Sequence, residues 1–126
     1  MSLHFSKLFA PTIFRRLQHV GIIKIQDQKD FDDKVNNNKN TVLVDFYATW
    51  CGPCKILTPI LEKVVNESPK PVLLAKVDID ELQEMAVQYE VNAVPTVIAM
   101  KLGKEIKRFS GAQDEKKVKS FLDTID

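Results

Sequence analysis

At 126 residues the chain is long enough for one domain with an ordinary hydrophobic core. Its 44% apolar and 28% charged residues are those of a soluble globular protein, and no apolar run approaches the roughly 18–20 residues of a membrane helix. A net charge of +1 argues against nucleic acid as the main partner.

That average hides a split. Residues 1–26 carry Lys7, Arg15, Arg16 and Lys24 with no acid, while the remainder holds 14 basic and 17 acidic residues. The first segment also has Ser2, Ser6 and Thr12, with Phe5, Leu8, Phe9, Ile13, Leu17 and Val20 at helical spacing around Pro11. A basic, hydroxylated, acid-free and amphipathic start is the pattern of a mitochondrial presequence. Lys7, Pro11, Arg15 and Arg16 break up the apolar stretch that a secretory signal needs. Residues 1–21 are therefore assigned as a leader cut near residues 16–22, and residues 22–126 as the folded domain; an arm with no targeting role is the alternative.

Ile22 to Ile25 is a short β-branched run that predicts a first strand. Asp27 can cap a helix from about Gln28 to Val35, with Phe31 and Val35 four apart on its inner face. Asn36 to Asn40 is a polar loop. Thr41 to Ala48 is nearly all apolar, the mark of a strand buried on both faces, with Asp45 as the exception.

From Cys51 the period changes. Ile56, Leu57, Ile60, Leu61, Val64 and Val65 form one broad helical face. Pro53 suits the first turn, whereas Pro59 should kink the interior, and Ser68-Pro69-Lys70-Pro71 stops the helix. Val72 to Val77 predicts a buried strand, and Asp80 a cap for a helix from Glu81 to about Tyr89. Strands follow at Thr96–Lys101 and Glu105–Phe109 around a turn at Leu102-Gly103-Lys104. The last helix starts near Asp114, with Val118, Phe121, Leu122 and Ile125 inward. The order β-α-β-α-β-α-β-β-α predicts an α/β sandwich with parallel strands joined by helices and a hairpin at one edge.

Cys51 and Cys54 are the only cysteines, so they cannot belong to a larger disulfide scaffold. Two intervening residues let their sulfurs meet in the first turn of a helix, and Cys-x-x-Cys beside a βαβ pattern reads as a redox motif. A zinc site normally needs four ligands, and the two histidines, His4 and His19, lie in the leader. Inert structural thiols are the other reading, which the Trp-Cys-Gly-Pro-Cys context disfavours.

Phe46-Tyr47-Ala48-Thr49-Trp50-Cys51-Gly52-Pro53-Cys54-Lys55, Lys76-Val77-Asp78-Ile79-Asp80 and Val94-Pro95-Thr96 resemble, in order and spacing, the three signature stretches of the thioredoxin family. With the leader, the likeness is to the animal-type mitochondrial members. Tyr47 departs from it, since many thioredoxins carry a second tryptophan there. The resemblance implies the thioredoxin fold, a central mixed five-stranded sheet flanked by four helices. It implies a protein-disulfide reductase in which Cys51, lowered in pKa at a helix start, attacks and the more buried Cys54 resolves. It places Asp45 beneath Cys54 as the group that takes its proton through water, with Lys76 as the partner of that aspartate; a plain buried ion pair is the alternative. It implies a cis Val94–Pro95 bond, and a flat apolar rim of Trp50, Gly52, Pro53, Ala93, Val94, Pro95, Gly111 and Ala112 that docks an extended substrate segment.

No Gly-x-Gly-x-x-Gly fingerprint is present, so no bound cofactor is expected; NADPH and FAD belong to the partner, thioredoxin reductase. Peroxiredoxins and other disulfide-containing proteins are the implied targets, for a monomer in the mitochondrial matrix, with the cytoplasm as the alternative. Rival readings are an oxidase or isomerase, which Gly52-Pro53 disfavours, and a redox-dependent binding subunit that would use the same rim.

Overall fold

A computed structural model describes residues 20–125 of the chain. The expected leader lies outside the described residues except for Val20 and Gly21, and Gly21 already opens the first strand. The elements are β1 (Gly21–Lys24), α1 (Gln28–Phe31, widening into a π-helical turn over Asp32–Asn36), β2 (Thr41–Tyr47), α2 (Gly52–Glu67), β3 (Val72–Asp78), α3 (Gln83–Gln88), β4 (Thr96–Lys101), β5 (Lys104–Ser110) and α4 (Glu115–Asp123). Among the described residues these make the expected five strands and four helices.

The strands lie in the order β1-β3-β2-β4-β5. β1, β3 and β2 are mutually parallel; β4 runs antiparallel to β2, and β5 antiparallel to β4. β2 is therefore central, and both of its faces are covered by packed side chains, which explains why its sequence lacks polar alternation. Its period-two alternation still sorts residues between two cores. Val42, Val44 and Phe46 face α1 and α3, packing with Phe31, Val35, Met85 and Ile98. Leu43 points the other way, to Leu57, Leu61 and Val64 of α2 and Val118 and Leu122 of α4. Asp45 shares the face of Leu43, toward α2.

The helix signals hold at two starts and fail at a third. The Asp27 carboxylate accepts from the Asp30 N–H and the Asp114 carboxylate from the Lys117 N–H, both at 2.8 Å, closing the first turns of α1 and α4. Asp80 does not cap α3, which starts at Gln83 with no side-chain cap. The Asp78 carboxylate takes the Asp80 N–H at 2.9 Å in a tight turn, and the Asp80 carboxylate bonds Trp50 instead.

The inner face of α2 also differs from expectation. Ile56 is 63% exposed, while Cys54, Leu57, Leu61, Val64 and Val65 are buried. Cys54 begins this buried arc, and Ile56, two residues on, lies on the far side of the helix. The helix runs past Pro59 to Glu67.

Leu102 and Gly103 both take positive φ (52° and 77°), the geometry of a two-residue hairpin between β4 and β5. The Leu102 N–H donates to the Asn38 carbonyl at 3.2 Å and ties the hairpin to the Asn36–Asn40 loop, where buried Asn38 also donates to the Lys34 carbonyl and accepts from the Asn40 N–H.

Leu61, fully buried between α2 and the sheet, measures how firmly α2 is held. Leu61→Ala is expected to lower unfolding stability by about 2–5 kcal/mol, read from urea denaturation; a loss below about 1 kcal/mol would mean that the α2 face repacks.

Candidate active site

β2 ends at Tyr47 and α2 begins at Gly52, so residues 48–51 form the junction at the C-terminal edge of the sheet. Cys51 is the N-cap of α2, with extended backbone (φ −86°, ψ 114°). Its Sγ accepts the Cys54 N–H at 3.2 Å, doing what a Ser or Asp oxygen does at ordinary helix starts. A thiolate there gains that charge-assisted hydrogen bond and the positive end of the helix dipole, both of which lower its pKa. Pro53 occupies the first turn, where its missing N–H costs nothing.

Cys51 and Cys54 are joined in a disulfide, with Cα atoms 5.3 Å apart. In this form the two are almost equally covered, at 4% and 2% exposure. The contrast between an open first and a buried second sulfur is therefore slight in the oxidised protein. Ala48 packs with the pair, Tyr47, Ile79 and Val94 close around them, and the Val94 carbonyl lies 3.7 Å from Cys51 Sγ.

The Val94–Pro95 peptide is cis, as the resemblance implied. Pro95 is itself buried, and its carbonyl accepts the Gly111 N–H at 2.9 Å, holding that loop beside the cysteines. Gly111 has φ +86°, a conformation that favours glycine. Thr96 Oγ1 donates to the Ala93 carbonyl at 2.6 Å and fixes the same turn from inside. Gly52, Pro53, Ala93 and Ala112 are exposed and Val94 and Gly111 half-buried. Trp50 is 67% exposed, and its indole N–H donates to Asp80 Oδ2 at 2.9 Å. A shallow cleft of about 410 Å³ opens on the other side of the disulfide, lined by Tyr47, Ala48, Thr49, Cys54, Lys55, Thr58 and Pro59.

Asp45 is fully buried. Thr58 Oγ1 donates to its Oδ2 at 3.1 Å, and Oδ1 has no hydrogen-bond partner. Lys76 is its neighbour in the β2–β3 register, but the expected direct pair is not formed. The Lys76 ammonium turns to Glu62 of α2, 3.4 Å away, where both partners reach solvent and keep part of their hydration. Burial pushes the Asp45 carboxyl up to about 6; the Thr58 hydrogen bond and the Lys76 charge pull it down, and Glu62 pushes it up.

The structure brings the sequence-predicted cysteines and the Val94–Pro95 loop together and buries Asp45 against Thr58 of α2; sequence reasoning did not name Thr58, Glu62 or the Trp50–Asp80 bond. Thr58 and Glu62 were findable. They follow Cys54 at four-residue spacing, so all three share one strip of α2. Among the described residues, no group of three or more His, Cys, Asp and Glu side chains could hold a metal ion.

The family model for thioredoxin matches residues 22–124. The chain belongs to the thioredoxin family. It is 54% identical to the mitochondrial thioredoxin of Bos taurus over 98 residues, 78% of this chain and 59% of the bovine one. The chain thus spans less than two thirds of the length of that relative. It is 43% identical to a bifunctional thioredoxin reductase/thioredoxin of Mycobacterium leprae over 72% of this chain and 20% of that one. A solved structure of a point mutant of Halobacterium salinarum thioredoxin superposes with a TM-score of 0.75 at 36% identity, over 82% of this chain and 89% of that one. The architecture is therefore the thioredoxin fold.

Asp45 binds its proton more tightly in the folded than in the unfolded chain, because its pKa rises from 3.8 to about 6. Below about pH 4 both states hold the proton and the group is neutral to stability. As pH rises from about 4 through 6 the unfolded state releases it first, so this group lowers stability, in the limit by about 3 kcal/mol. Asp45→Asn removes that component. Relative to wild type, the variant is expected to gain stability between pH 4 and pH 8, measured by denaturant unfolding at each pH. Parallel stability curves would show that Asp45 is not desolvated as described.

Proposed function

We propose that this thioredoxin reduces protein disulfides by dithiol–disulfide exchange. The observation that carries the reading is the Cys51–Cys54 disulfide at the N-cap of α2, two sulfurs one helical turn apart in the position that favours a thiolate. In the dithiol form the Cys51 thiolate attacks one sulfur of a target disulfide. The other target sulfur leaves as a thiolate and takes a proton, and a mixed disulfide remains on Cys51. Cys54 then gives its proton to Asp45 and attacks Cys51 Sγ. The second target sulfur leaves as a thiolate and is protonated in turn, so the target gains two electrons and two protons, one from Cys54 and one from solvent, while Cys51 and Cys54 become the disulfide.

Asp45 acts as general base for Cys54. A carboxyl near pKa 6 is largely ionised at neutral pH yet basic enough to accept a proton. Lys76, turned toward Glu62, acts on that carboxylate through space and not by contact. Trp50, Gly52, Pro53, Val94, Pro95 and Gly111 form the docking rim, where half-buried Val94, ahead of buried Pro95, meets an extended target segment.

The oxidised form is re-reduced by a thioredoxin reductase that carries the FAD and takes the NADPH, so the chain binds no cofactor of its own. The reductase–thioredoxin fusion of Mycobacterium leprae supports that pairing. Peroxiredoxins and other disulfide-containing proteins are the targets, reached by a monomer. Mitochondrial placement is supported by the bovine relative and by the acid-free composition of residues 1–21.

Reduction of insulin with NADPH and thioredoxin reductase tests the reading. Wild type should turn over, Cys51→Ser should be inactive, and Cys54→Ser should accumulate mixed disulfides with its targets; full activity of Cys51→Ser would refute the mechanism. Asp45→Asn should fold and yet react at least about tenfold more slowly at pH 7, and a pH–rate profile identical to wild type would remove its base role. Sequencing the N-terminus of protein isolated from its source checks the leader, and an intact Met1 would rule out cleavage.

A further inference from the structure

Asp45 is the one described residue with a buried side-chain oxygen that lacks a hydrogen-bond partner, and the missing partner is on one oxygen only. Oδ2 is held by Thr58, and Oδ1 has no partner among the described protein atoms. Thr58 also lines the cleft that reaches Cys54, one turn earlier on the same helix. Thr58 therefore both lines the cleft beside Cys54 and bonds the buried carboxylate. Thr58 has no necessary place in the apolar face of α2, which Leu57 and Leu61 fill on either side of it.

We propose that Thr58 is a positioning residue for Asp45. Its hydroxyl fixes Oδ2 and the plane of the carboxylate, so that Oδ1 is the oxygen that takes the Cys54 proton. The inference rests on Asp45 being the base for Cys54. A carboxyl group without that tether would turn freely, and either oxygen could face away from the cysteine. The hydrogen bond also favours the ionised form, because a hydroxyl donates more strongly to a carboxylate than to a neutral acid. The other groups that act on Asp45 are Lys76 from β3, Glu62 from α2 and Tyr47 on its own strand. None is altered by a change at Thr58, and the cysteines do not titrate in the disulfide form.

The test compares Thr58→Val, which keeps the shape of the side chain and removes the hydroxyl, with Thr58→Ser, which keeps the hydroxyl. The Asp45 carboxyl carbon is titrated by NMR in the oxidised full chain, and the pH–rate profile of insulin reduction is recorded beside it. Thr58→Val should raise the Asp45 midpoint by about 0.5–1 pH unit and move the rate profile to higher pH by the same amount. Thr58→Ser should return both to wild-type positions. An Asp45 midpoint unmoved in Thr58→Val, or moved equally in Thr58→Ser, overturns the proposal. Asp45→Asn keeps the two levels of inference apart. If its rate profile matches wild type, the base reading falls and takes the purpose of the Thr58 bond with it; if only the Thr58→Val midpoint is unmoved, Asp45 stays the base and Thr58 is merely its neighbour.

Discussion

The first turn of an α-helix has N–H groups that nothing inside the helix can satisfy, and in this protein the acceptor supplied for one of them is a sulfur. Cys51 caps α2. The consequences run outward from that atom. A capping side chain must sit just before the helix on extended backbone, so Cys51 falls at the end of the β2–α2 junction, beyond the C-terminal end of a central strand. A helix returns to the same side after three or four residues, so Cys54 comes back beneath the cap with its N–H aimed at the sulfur. The geometry that stabilises the helix start is the same geometry that favours a thiolate.

The second constraint is the strand from which the junction emerges. β2 lies between β3 and β4, and both of its faces are covered. A carboxylate there is costly, and the surroundings of Asp45 offset only part of that cost. One hydroxyl reaches it, and the ammonium of its cross-strand neighbour is committed to Glu62. A closer Lys76 would stabilise the ionised form and pull the pKa back toward ordinary values, leaving a weaker base. The incomplete solvation of Asp45 is thus a loss to the fold and a gain in basicity, and the same desolvation produces both.

Much of this was legible in the residues. An apolar octet broken by one aspartate reads as a doubly covered strand because no other element tolerates so little polarity, and a Cys-Gly-Pro-Cys start to a helical period reads as a redox turn. The failures share a cause. Asp80 has the right residue type and spacing for a cap, but Trp50, 30 positions earlier in the chain, takes its carboxylate. Lys76 lies beside Asp45 in register, but Glu62 of α2 takes its charge. Ile56 is apolar at a plausible position, but the helix orientation is set by Cys54 at one end and Leu61 in the middle. Local rules name what a side chain can do; competition between partners distant in sequence decides which it does.

That competition is organised by one strip of α2. Cys54, Thr58 and Glu62 follow one another at four-residue spacing beside the fully buried Leu57 and Leu61. The strip begins at the disulfide, passes the buried carboxylate and ends at a half-exposed ion pair with Lys76. Polarity and solvent access both rise along it away from the sulfur. Along the strip the ammonium therefore stands at the far end from Cys54, beyond the hydroxyl and the carboxylate that it bonds. Had Lys76 and Asp45 paired directly, the positive charge would stand at the carboxylate itself and lower its affinity for a proton. Keeping them out of direct contact leaves the acceptor basic and the cation close enough to limit how far burial can raise its pKa.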